Sequence, residues 1–357
     1  MRIGVDGMPL LGRGGISRYL SGIAPVLEMM LPEAEFIAYV DREPDAVSLP
    51  QRWLLRVVPR GRLPSSYAWL RYGVSRALAR DVVDVFWGVR TLLPLRGARV
   101  WITTVHDLNV ELAPKTMPFL TFVAHRLWMR KDVERAQIRV AVSSGTARRL
   151  SELWGVNVHA VAPPGIDGGL KPVSARVVQE VLARYGVRPP YVLYVGTLEP
   201  RKNVERLLEA VRMLRRAGTD LSLVLVGRWG WKTRRLRLLI RENAEWVRHL
   251  GAVPDDDLPA LYSGAEVVAL VSRYEGFGIP AAEARACGAR VVATDIPELR
   301  EAAGQDAVFV RPTASGISKG IREAMANSRP PPERRFTWED AGRVMANLIA
   351  RAARAHN

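Results

Sequence analysis

Cysteine and long apolar runs are what this 357-residue sequence has least of. The single cysteine, Cys287, excludes an internal disulfide, is typical of a reducing compartment and is expected to be a small core residue. No apolar run approaches the roughly 20 residues that a membrane-spanning helix needs. The opening MRIGVDGMPL lacks the apolar core and cleavage site of a secretory signal. We therefore expect a cytoplasmic protein.

Acidic residues are too few to balance the basic ones: 36 stand against 52, which leaves a formal charge of +16. Such an excess attracts nucleic acid, an acidic membrane face or phosphorylated substrates. A high-GC genome or a heat-adapted organism, either of which uses arginine in place of lysine, explains the same excess equally well. The charge alone therefore does not identify a partner. Because no nucleic-acid recognition motif accompanies it, we do not expect nucleic acid to be the partner.

Strand-like and helix-like segments alternate along the whole chain, which predicts an α/β protein with parallel sheets covered by helices. The length fits two domains. Pro163-Pro164-Gly165 marks the boundary, because proline ends a strand and glycine allows a sharp turn. A second, proline-rich linker covers Arg329 to Arg335. We expect an N-terminal domain over 1–165, a C-terminal domain over 166–335 and a terminal helix over 336–357.

The apolar pattern also predicts individual elements. Helices are expected from Ile16 to Met30, from Phe119 to Arg135 and from Trp338 onward, and serine caps are expected at Ser65 or Ser66 and at Ser143 or Ser144. The predicted strands are Arg2–Asp6, Glu35–Val40, Leu54–Val58, Asp84–Trp87, Val100–Val105, Ile138–Val142, Val158–Ala162, Tyr191–Val195, Leu221–Val226, Val267–Val271 and Arg290–Ala293.

The segment from Gly196 to Asn203 lies between a predicted buried strand and a helix, and it carries the adjacent cations Arg201 and Lys202. Ligands bind at the carboxyl ends of parallel strands. The N-terminus of a helix adds partial positive charge and free N–H groups. Such a site suits a diphosphate. A solvated loop in which Asn203 caps the following helix is the alternative interpretation.

A second cluster, from Glu275 to Glu283, also lies between a strand and a helix. Its glycines, Gly276 and Gly278, let the backbone approach a ligand closely. Two carboxylates beside a diphosphate site fit a ligand with hydroxyl groups, such as a sugar and a ribose. We expect Glu283 in the first turn of the helix, where a favourable charge at the helix N-terminus is the alternative explanation for it. That alternative does not explain Glu275.

Taken together, these motifs resemble the signature of the retaining GT-B glycosyltransferases of family 4, the group 1 transferases, and in particular bacterial mannosyltransferases. The resemblance covers nearly the whole chain in the right order, and it is most specific in the C-terminal half. It implies two Rossmann-like domains facing across a cleft. The matching segments are Gly14-Gly15-Ile16-Ser17-Arg18-Tyr19, Pro164-Gly165-Ile166-Asp167, Gly196 with Arg201-Lys202-Asn203, Leu258-Pro259-Ala260-Leu261-Tyr262, and Glu275 with Glu283, which are separated by seven residues.

Several roles are implied by this resemblance alone. Arg201 and Lys202 would hold the donor diphosphate, and Glu275 would hydrogen-bond the transferred sugar. His106, which follows a predicted strand, would contact the sugar near the reacting centre, although a lone histidine is often structural. The remaining expected donor-binding residues are Gly14, Gly15, Gly196, Gly276, Phe277, Gly278, Ile279 and, for the ribose, Glu283.

The resemblance also implies a mechanism: front-face attack with retention, in which the leaving phosphate accepts the proton of the acceptor. Cations at the phosphate stabilise the departing charge without a metal, so we expect no cofactor and no glutamate nucleophile. The expected donor is a nucleotide sugar, with GDP-mannose favoured, and the expected acceptor is a saccharide or a lipid-linked saccharide in envelope or polysaccharide synthesis.

Other interpretations stay open. Another GT-B enzyme, such as a sugar-nucleotide epimerase or a phosphorylase, shares the fold, and a non-catalytic scaffold need not keep the donor-binding residues. If the chain is instead a basic nucleic-acid-binding protein, its binding to any polynucleotide should depend steeply on salt concentration. Asp255-Asp256-Asp257 looks like a metal motif but suits the start of a helix better. The turn Gly12-Arg13-Gly14-Gly15 lacks the third glycine of a dinucleotide fingerprint, which argues against an NAD enzyme.

The stretch from Arg52 to Arg99 combines arginines with aromatic residues, a composition typical of helices that lie on anionic membranes. One hypothesis is that this stretch docks the protein on the inner leaflet as a peripheral membrane protein. The alternative is a surface helix whose aromatic side chains enter the core. The residues concerned are Trp53, Tyr67, Trp69, Arg71, Tyr72, Arg76 and Arg80.

Overall fold

The structure, a computed structural model, describes residues 1–12, 14–43 and 49–354, without the side chain of residue 353. Arg13, in the predicted glycine-rich turn, and residues 355–357, at the end of the predicted C-terminal helix, lie outside the described residues. By its contacts the chain divides into unit 1, Met1–Gly165 with Phe336–Asn357, and unit 2, Ile166–Arg335.

Unit 1 contains a seven-stranded sheet in which every neighbouring pair is parallel. Its strands are β1 (Arg2–Asp6), β2 (Glu35–Val40), β3 (Leu54–Val57), β4 (Val83–Gly88), β5 (Ala98–Val105), β6 (Ile138–Ala141) and β7 (Ala160–Val161). They lie in the order β3-β2-β1-β4-β5-β6-β7. The order in which successive strands are added to the sheet changes direction between β1 and β4. Ligands of open α/β sheets bind at such a switch point.

The helices of unit 1 begin largely where the sequence predicts. Ser65 accepts a hydrogen bond from the backbone of Ala68 at 3.1 Å, and Ser143 accepts one from Thr146 at 2.9 Å, so both serine caps are confirmed. The helices are α1 (Gly15–Met30), α2 (Ser66–Ala68), α3 (Ser75–Asp81), α4 (Asn109–Leu112), α5 (Phe119–Arg135) and α6 (Ser144–Trp154), with a π-helical segment at Trp69–Val74 and 3-10 turns at Met8–Leu11 and Pro114–Thr116.

Unit 2 repeats the architecture with a six-stranded parallel sheet. Its strands are β8 (Tyr191–Val195), β9 (Ser222–Val226), β10 (Val247–Gly251), β11 (Val267–Leu270), β12 (Val291–Thr294) and β13 (Val308–Val310), in the order β10-β9-β8-β11-β12-β13. Its switch point therefore lies between β8 and β11, which are the strands that precede the two predicted clusters.

The helices of unit 2 cover both faces of this sheet's apolar strands. They are α7 (Ala175–Tyr185), α8 (Val204–Arg216), α9 (Arg234–Glu242), α10 (Leu258–Gly264), α11 (Ile279–Ala286), α12 (Pro297–Ala303) and α13 (Ala314–Ala326), with 3-10 turns at Pro200–Lys202 and Asp255–Asp257. The core between α8, α13 and the sheet is built from leucine and valine, including Leu207, Leu223 and Val292.

The last helix, α14 (Trp338–Arg354), belongs to unit 1 and packs against α1. The approach is close because Gly22 on α1 has no side chain. A Cβ atom at Gly22 would lie 2.2 Å from the ring of Trp338, so any larger residue would push the helices apart.

Two strands were not predicted, and one is three residues shorter than predicted. Strand β10 carries Arg248 and His249 and therefore lacks the apolar run that marks buried strands, and β13 has only three residues. Strand β7 was predicted over Val158 to Ala162 and covers only Ala160–Val161. All three lie at or next to the end of their sheet, where burial on both faces is not required.

Candidate active site

The loop after β8 is tied to the loop after β11 by Asn203. This residue has φ +60° and precedes α8, but its side chain forms no helix cap. Its amide instead donates to the carbonyl oxygens of Val271 at 3.1 Å and Pro312 at 3.0 Å. Asn203 therefore occupies the N-cap position of α8, as the alternative interpretation states, but its amide makes no cap hydrogen bond and instead holds the turn that carries Arg201 and Lys202 in place.

Arg201 and Lys202 meet on the carboxylate of Glu275. Arg201 Nη1 donates to Glu275 Oε2 at 2.8 Å, and Lys202 Nζ donates to Glu275 Oε1 at 2.5 Å. Ser272 Oγ also donates to Glu275 Oε1, at 2.6 Å. The two clusters predicted from the sequence thus form one site at the switch point of unit 2. We call Glu199, Arg201, Lys202 and Glu275 the charge cluster.

Glu199 is a member of the cluster to which the sequence analysis assigned no role. Its Oε1 accepts a hydrogen bond from Arg201 Nη2 at 2.7 Å, and its side chain is only 3% exposed. Its other oxygen, Oε2, is buried and has no hydrogen-bond partner among the described residues. The only sequence signal that points to Glu199 is its place in the loop after an apolar strand, two positions before a basic residue.

The electrostatics of the charge cluster keep Glu275 ionised. Burial would raise the pKa of Glu275, but the charges of Lys202 and Arg201 outweigh burial and lower it to about 2. For Lys202, burial and the charge of Arg201 lower the pKa, against the opposing effect of Glu275. For Glu199, burial raises the pKa in spite of Arg201. Glu275 is therefore a poor proton acceptor at neutral pH.

The loop after the charge cluster depends on a glycine that no other residue can replace without strain. Gly278 has φ +103°, and a Cβ atom there would lie 2.5 Å from Leu299 Cδ2. Phe277 is buried, and Ile279 begins α11. The backbone from Gly276 to Ile279 thus leads into the N-terminus of α11.

Glu283 does not lie in the first turn of its helix. Helix α11 begins at Ile279, so Glu283 is its fifth residue, and the expectation of a first-turn charge is wrong. Its buried carboxylate accepts a hydrogen bond from Tyr262 at 2.7 Å. The shift arises because the helix begins earlier than the sequence suggests, directly after Gly278 and with Pro280 as its second residue. Its proposed contact with ribose stays a prediction.

In unit 1, His106 follows β5 and packs edge-on against Tyr19 of α1, with ring centroids 5.0 Å apart. His106 Nε2 lies 2.8 Å from the carbonyl oxygen of Val89. Because a carbonyl only accepts, Nε2 carries the proton, and Nδ1 of the neutral ring is an acceptor. Burial lowers the pKa of His106 to about 4, against the charge of Asp107, so the ring is neutral at pH 7.

Gly14 and Gly15 stand at the beginning of α1. Gly14 is extended, with φ 169°, and precedes the helix, while Gly15 is its first residue. A Cβ atom at Gly14 would meet no described atom within 4 Å. Local packing therefore does not demand glycine at this position, which is compatible with close approach of a ligand to the backbone.

The switch point of unit 1 holds an ion pair that the sequence analysis did not identify. Arg90, after β4, donates to Asp6, at the end of β1, through Nε at 2.7 Å and Nη2 at 3.0 Å. Arg90 also donates to Ser66 and lies over the ring of Tyr67. The Asp6 side chain is fully buried. No motif marks this pair, because the two residues are 84 positions apart.

Two further sequence interpretations are confirmed. Asp255–Asp257 forms a 3-10 turn that leads into α10, and Asp257 binds Arg184 and Tyr185. Cys287 is buried, and burial raises its pKa to about 12. Among the described side chains, no group of three or more histidine, cysteine, aspartate or glutamate residues is arranged to hold a metal ion.

The proposed membrane role of the Arg52–Arg99 stretch is not supported by its aromatic residues. Trp53 is 5% exposed and Trp69 is fully buried, so the alternative, in which the aromatic side chains enter the core, is correct for both. Tyr72 is the exception at 48% exposed. Within residues 1–12, 14–43 and 49–354, no helix combines the length and hydrophobicity needed to cross a bilayer.

The chain is similar to known glycosyltransferases in sequence and in fold. Residues 184–345 match the family described as glycosyl transferases group 1. Over 278 residues the chain is 30% identical to the O-antigen chain mannosyltransferase B of Escherichia coli, and the match covers 73% of each protein. This chain therefore belongs to the group 1 glycosyltransferases, as its motifs predict.

Solved structures show the same fold. WaaG, a glycosyltransferase involved in lipopolysaccharide biosynthesis, matches with a TM-score of 0.73 and 18% identity over 99% of this chain and 98% of its own. Anabaena HepE in complex with UDP and glucose matches with a TM-score of 0.73 and 17% identity over 98% and 99%. The predicted GT-B fold is confirmed.

Proposed function

We propose that this glycosyltransferase moves a hexosyl group, with retention, from a nucleotide diphosphate sugar to a saccharide or lipid-linked acceptor. The observation that carries the proposal is the convergence of Arg201 and Lys202 on Glu275 at the switch point of unit 2. Two cations held at the carboxyl edge of a parallel sheet suit a diphosphate, and a carboxylate between them suits the hydroxyl groups of a sugar.

The two cations would balance the negative charge that develops on the leaving diphosphate during the reaction. When the bond between the sugar C1 and the phosphate oxygen breaks, the electron pair stays on the phosphate and positive charge develops on the sugar. Arg201 and Lys202 neutralise the departing diphosphate. The acceptor hydroxyl attacks from the same face, and its proton passes to the leaving phosphate oxygen. Because the side chains supply the positive charge, we propose a reaction that needs no metal and no cofactor.

Glu275 is proposed to bind the sugar and not to attack it. Both of its oxygens are already bonded to cations or to Ser272, and a carboxyl group with a pKa of about 2 cannot act as a base at neutral pH. An ionised carboxylate can still accept hydrogen bonds from sugar hydroxyls. Such bonds would weaken its hold on Lys202 and leave that ammonium group to the diphosphate.

Glu199 is proposed as a positioning residue for Arg201. Arg201 is held on two sides, by Glu199 at Nη2 and by Glu275 and the Tyr274 carbonyl at Nη1. When Glu275 turns to the sugar, the bond to Glu199 would keep the guanidinium in the same place. The ammonium group of Lys202 is hydrogen-bonded to Glu275 and not to the carboxylate of Glu199. We therefore propose that it follows the phosphate when Glu275 turns to the sugar.

In unit 1, the geometry suggests which atom of His106 is used. With the proton on Nε2, His106 Nδ1 is available as an acceptor for a sugar hydroxyl. A neutral ring also avoids repulsion with the positive charge that develops on the sugar. The proposed contacts of Gly14 and Gly15 with the donor phosphates stay predictions.

For the donor we propose GDP-mannose, used in the cytoplasm for polysaccharide or lipid-linked saccharide synthesis. The name of the E. coli relative, a mannosyltransferase of O-antigen chains, supports the sugar and the class of acceptor. The HepE structure holds UDP and glucose, which makes UDP-glucose the donor to test against it.

The test is hydrolysis and transfer with a panel of nucleotide sugars, using wild type, Lys202→Ala and Glu275→Gln. Lys319→Ala, an exposed lysine on α13 outside the charge cluster, is the matched control. We expect turnover of GDP-mannose in wild type and control only, and an α-linked product by NMR from this α-linked donor. Turnover of UDP-glucose alone would overturn the donor, and inversion would overturn the mechanism. If no nucleotide sugar bound, a non-catalytic scaffold would be the better interpretation.

A further inference from the structure

Unit 2 contains a cavity of about 300 Å³ between α8 and α9, which we call the α8–α9 cavity. Its apolar wall includes Leu208, Leu236 and Leu239. Of the four residues of the charge cluster, Glu199 alone lines it. The cavity is therefore separate from the proposed diphosphate site, but it shares one side chain with it.

The polar wall of the α8–α9 cavity has an excess of positive charge. Five of the lining side chains are basic and three are acidic, and two of those three carboxylates are paired with lining arginines. Arg212 and Arg273 form no hydrogen bond or ion pair through their side chains with any described residue. The cavity therefore favours an anion. Its basic residues are Arg206, Arg212, Lys232, Arg235 and Arg273.

The first turns of α8 and α9 also line the α8–α9 cavity. Val204, the first residue of α8, and Arg235, the second residue of α9, both belong to its wall. Neither helix is capped by the side chain of its N-cap residue, which is Asn203 for α8 and Thr233 for α9. Uncapped N–H groups at a helix N-terminus bind anions. Two such termini beside two arginines suit a phosphate group.

Glu199 adds a requirement that a bare anion cannot meet. Its side chain is 3% exposed, and its Oε1 is bonded to Arg201, which does not line the cavity. Its Oε2 is buried, has no hydrogen-bond partner among the described residues, and is the oxygen left for a ligand in the cavity. A carboxylate accepts a hydrogen bond from a hydroxyl group, whereas a phosphate dianion has no proton to donate. The ligand must therefore carry a hydroxyl group as well as a phosphate.

We propose that the α8–α9 cavity binds a sugar phosphate and that its occupation strengthens donor binding at the charge cluster. Two contacts would couple the sites: Arg201 donates to Glu199 Oε1, and the Arg273 backbone N–H donates to the Arg201 carbonyl oxygen at 2.8 Å. A ligand hydroxyl on Oε2 would fix the Glu199 carboxylate and with it the Arg201 guanidinium. The effect on the donor rests on the proposed function, but binding in the cavity does not.

The experiment is calorimetric titration of mannose 6-phosphate into the whole chain, with and without saturating GDP. We expect binding in both cases, and binding at least about tenfold weaker for inorganic phosphate and for mannose, because each supplies only one of the two groups. Arg212→Gln should weaken binding of mannose 6-phosphate about tenfold. Arg216→Gln, one turn further along α8 and outside the cavity, is the matched control and should bind as wild type.

Three outcomes would overturn the site: no binding of mannose 6-phosphate, binding that GDP abolishes, or equal binding by wild type and Arg212→Gln. Inorganic phosphate that binds as tightly as mannose 6-phosphate would overturn the contact with Glu199. Thermal unfolding by circular dichroism checks that each variant is folded.

Kinetics test the coupling between the two sites. Saturating mannose 6-phosphate should lower the KM for the donor about fivefold or more in wild type. Arg212→Gln should hydrolyse the donor as wild type does when mannose 6-phosphate is absent, and should respond only weakly when it is added. An unchanged KM in wild type would overturn the coupling. If mannose 6-phosphate binds as expected while wild type hydrolyses no nucleotide sugar, the proposed function fails and the cavity site stands.

Discussion

At the switch point of unit 1 one cation, Arg90, is bound by one carboxylate, Asp6, whereas at that of unit 2 Arg201 and Lys202 share Glu275. Both sheets reach this point with the same order of strands. In both, the charges lie at or after the end of the first strand and after the strand beside it at the switch point. The Arg90 guanidinium is committed through two hydrogen bonds to a fully buried partner. Lys202 holds its partner through a single ammonium group.

The difference shows that the doubly wound sheet supplies a place for a ligand but not the ligand's chemistry. In unit 1 the pair is closed, and the neighbouring His106 is neutral, so neither of them offers an exchangeable charge. In unit 2 we propose that the carboxylate exchanges its cations for the hydroxyls of a sugar. Variants at four residues test whether this contrast between a structural pair and an exchangeable cluster is real.

Asp6→Asn should have the largest effect, and the effect should be on stability. The variant leaves the Arg90 charge buried without its carboxylate, which costs about 3–5 kcal/mol of unfolding free energy. Urea unfolding at pH 7 measures this loss. Nucleoside diphosphate binding by the folded fraction should be unchanged. A stable Asp6→Asn protein that has lost nucleotide binding would instead make unit 1's pair a donor site.

Lys202→Ala should lower kcat for donor hydrolysis about 10²–10³-fold, as loss of one charge-stabilising group does. Its unfolding free energy should change less than that of Asp6→Asn. Lys202→Arg, which keeps the charge, should recover part of the rate. Equal kcat in wild type and Lys202→Ala would show that the ammonium group has no part in the departure of the diphosphate.

His106→Gln tests whether the ring is neutral. The folded pKa of about 4 is below the ordinary value of 6.5, so the unfolded chain binds the proton first. The wild-type unfolding free energy should therefore fall as pH drops from about 6.5 to about 4, by roughly 3 kcal/mol from this residue. His106→Gln lacks this contribution, so the two stability curves should converge on acidification. Parallel curves would contradict a neutral, buried His106.

Glu199→Gln should have the smallest effect, about a tenfold loss of kcat/KM, because an amide oxygen can still accept one hydrogen bond from Arg201. Glu199→Ala should lose more, with KM for the donor rising as Arg201 loses its support. The split between KM and kcat separates positioning from folding, since a merely structural role would change unfolding and leave both constants unchanged in the folded enzyme. Unchanged constants in Glu199→Ala would remove the positioning role.

The sequence was sufficient for the fold and for the three central residues of the charge cluster. Apolar runs such as Tyr191 to Val195 are long and buried on both faces, so their position and direction can be predicted. Glycines and cations at strand ends then mark the loops at the sheet edge. For that reason Arg201, Lys202 and Glu275 were predicted to share a site before any distance was known.

The rest depends on contacts that no local pattern encodes. Arg90 and Asp6 lie 84 positions apart and belong to no motif, and Glu199 is one acidic residue in a polar loop. The position of Glu283 in α11 was wrong because the start of a helix after a glycine loop is set by packing of Gly278 against Leu299. The tryptophans of the Arg52–Arg99 stretch were misleading because composition does not say which side chains face the core.

Calorimetric titration of GDP into wild type, Lys202→Ala and the control Lys319→Ala tests the central claim most directly. The claim is that the charge cluster of unit 2 is a diphosphate site. It predicts that wild type and control bind GDP equally, that Lys202→Ala binds at least about tenfold more weakly, and that the loss is absent when guanosine replaces GDP. Equal GDP affinity in wild type and Lys202→Ala would contradict it.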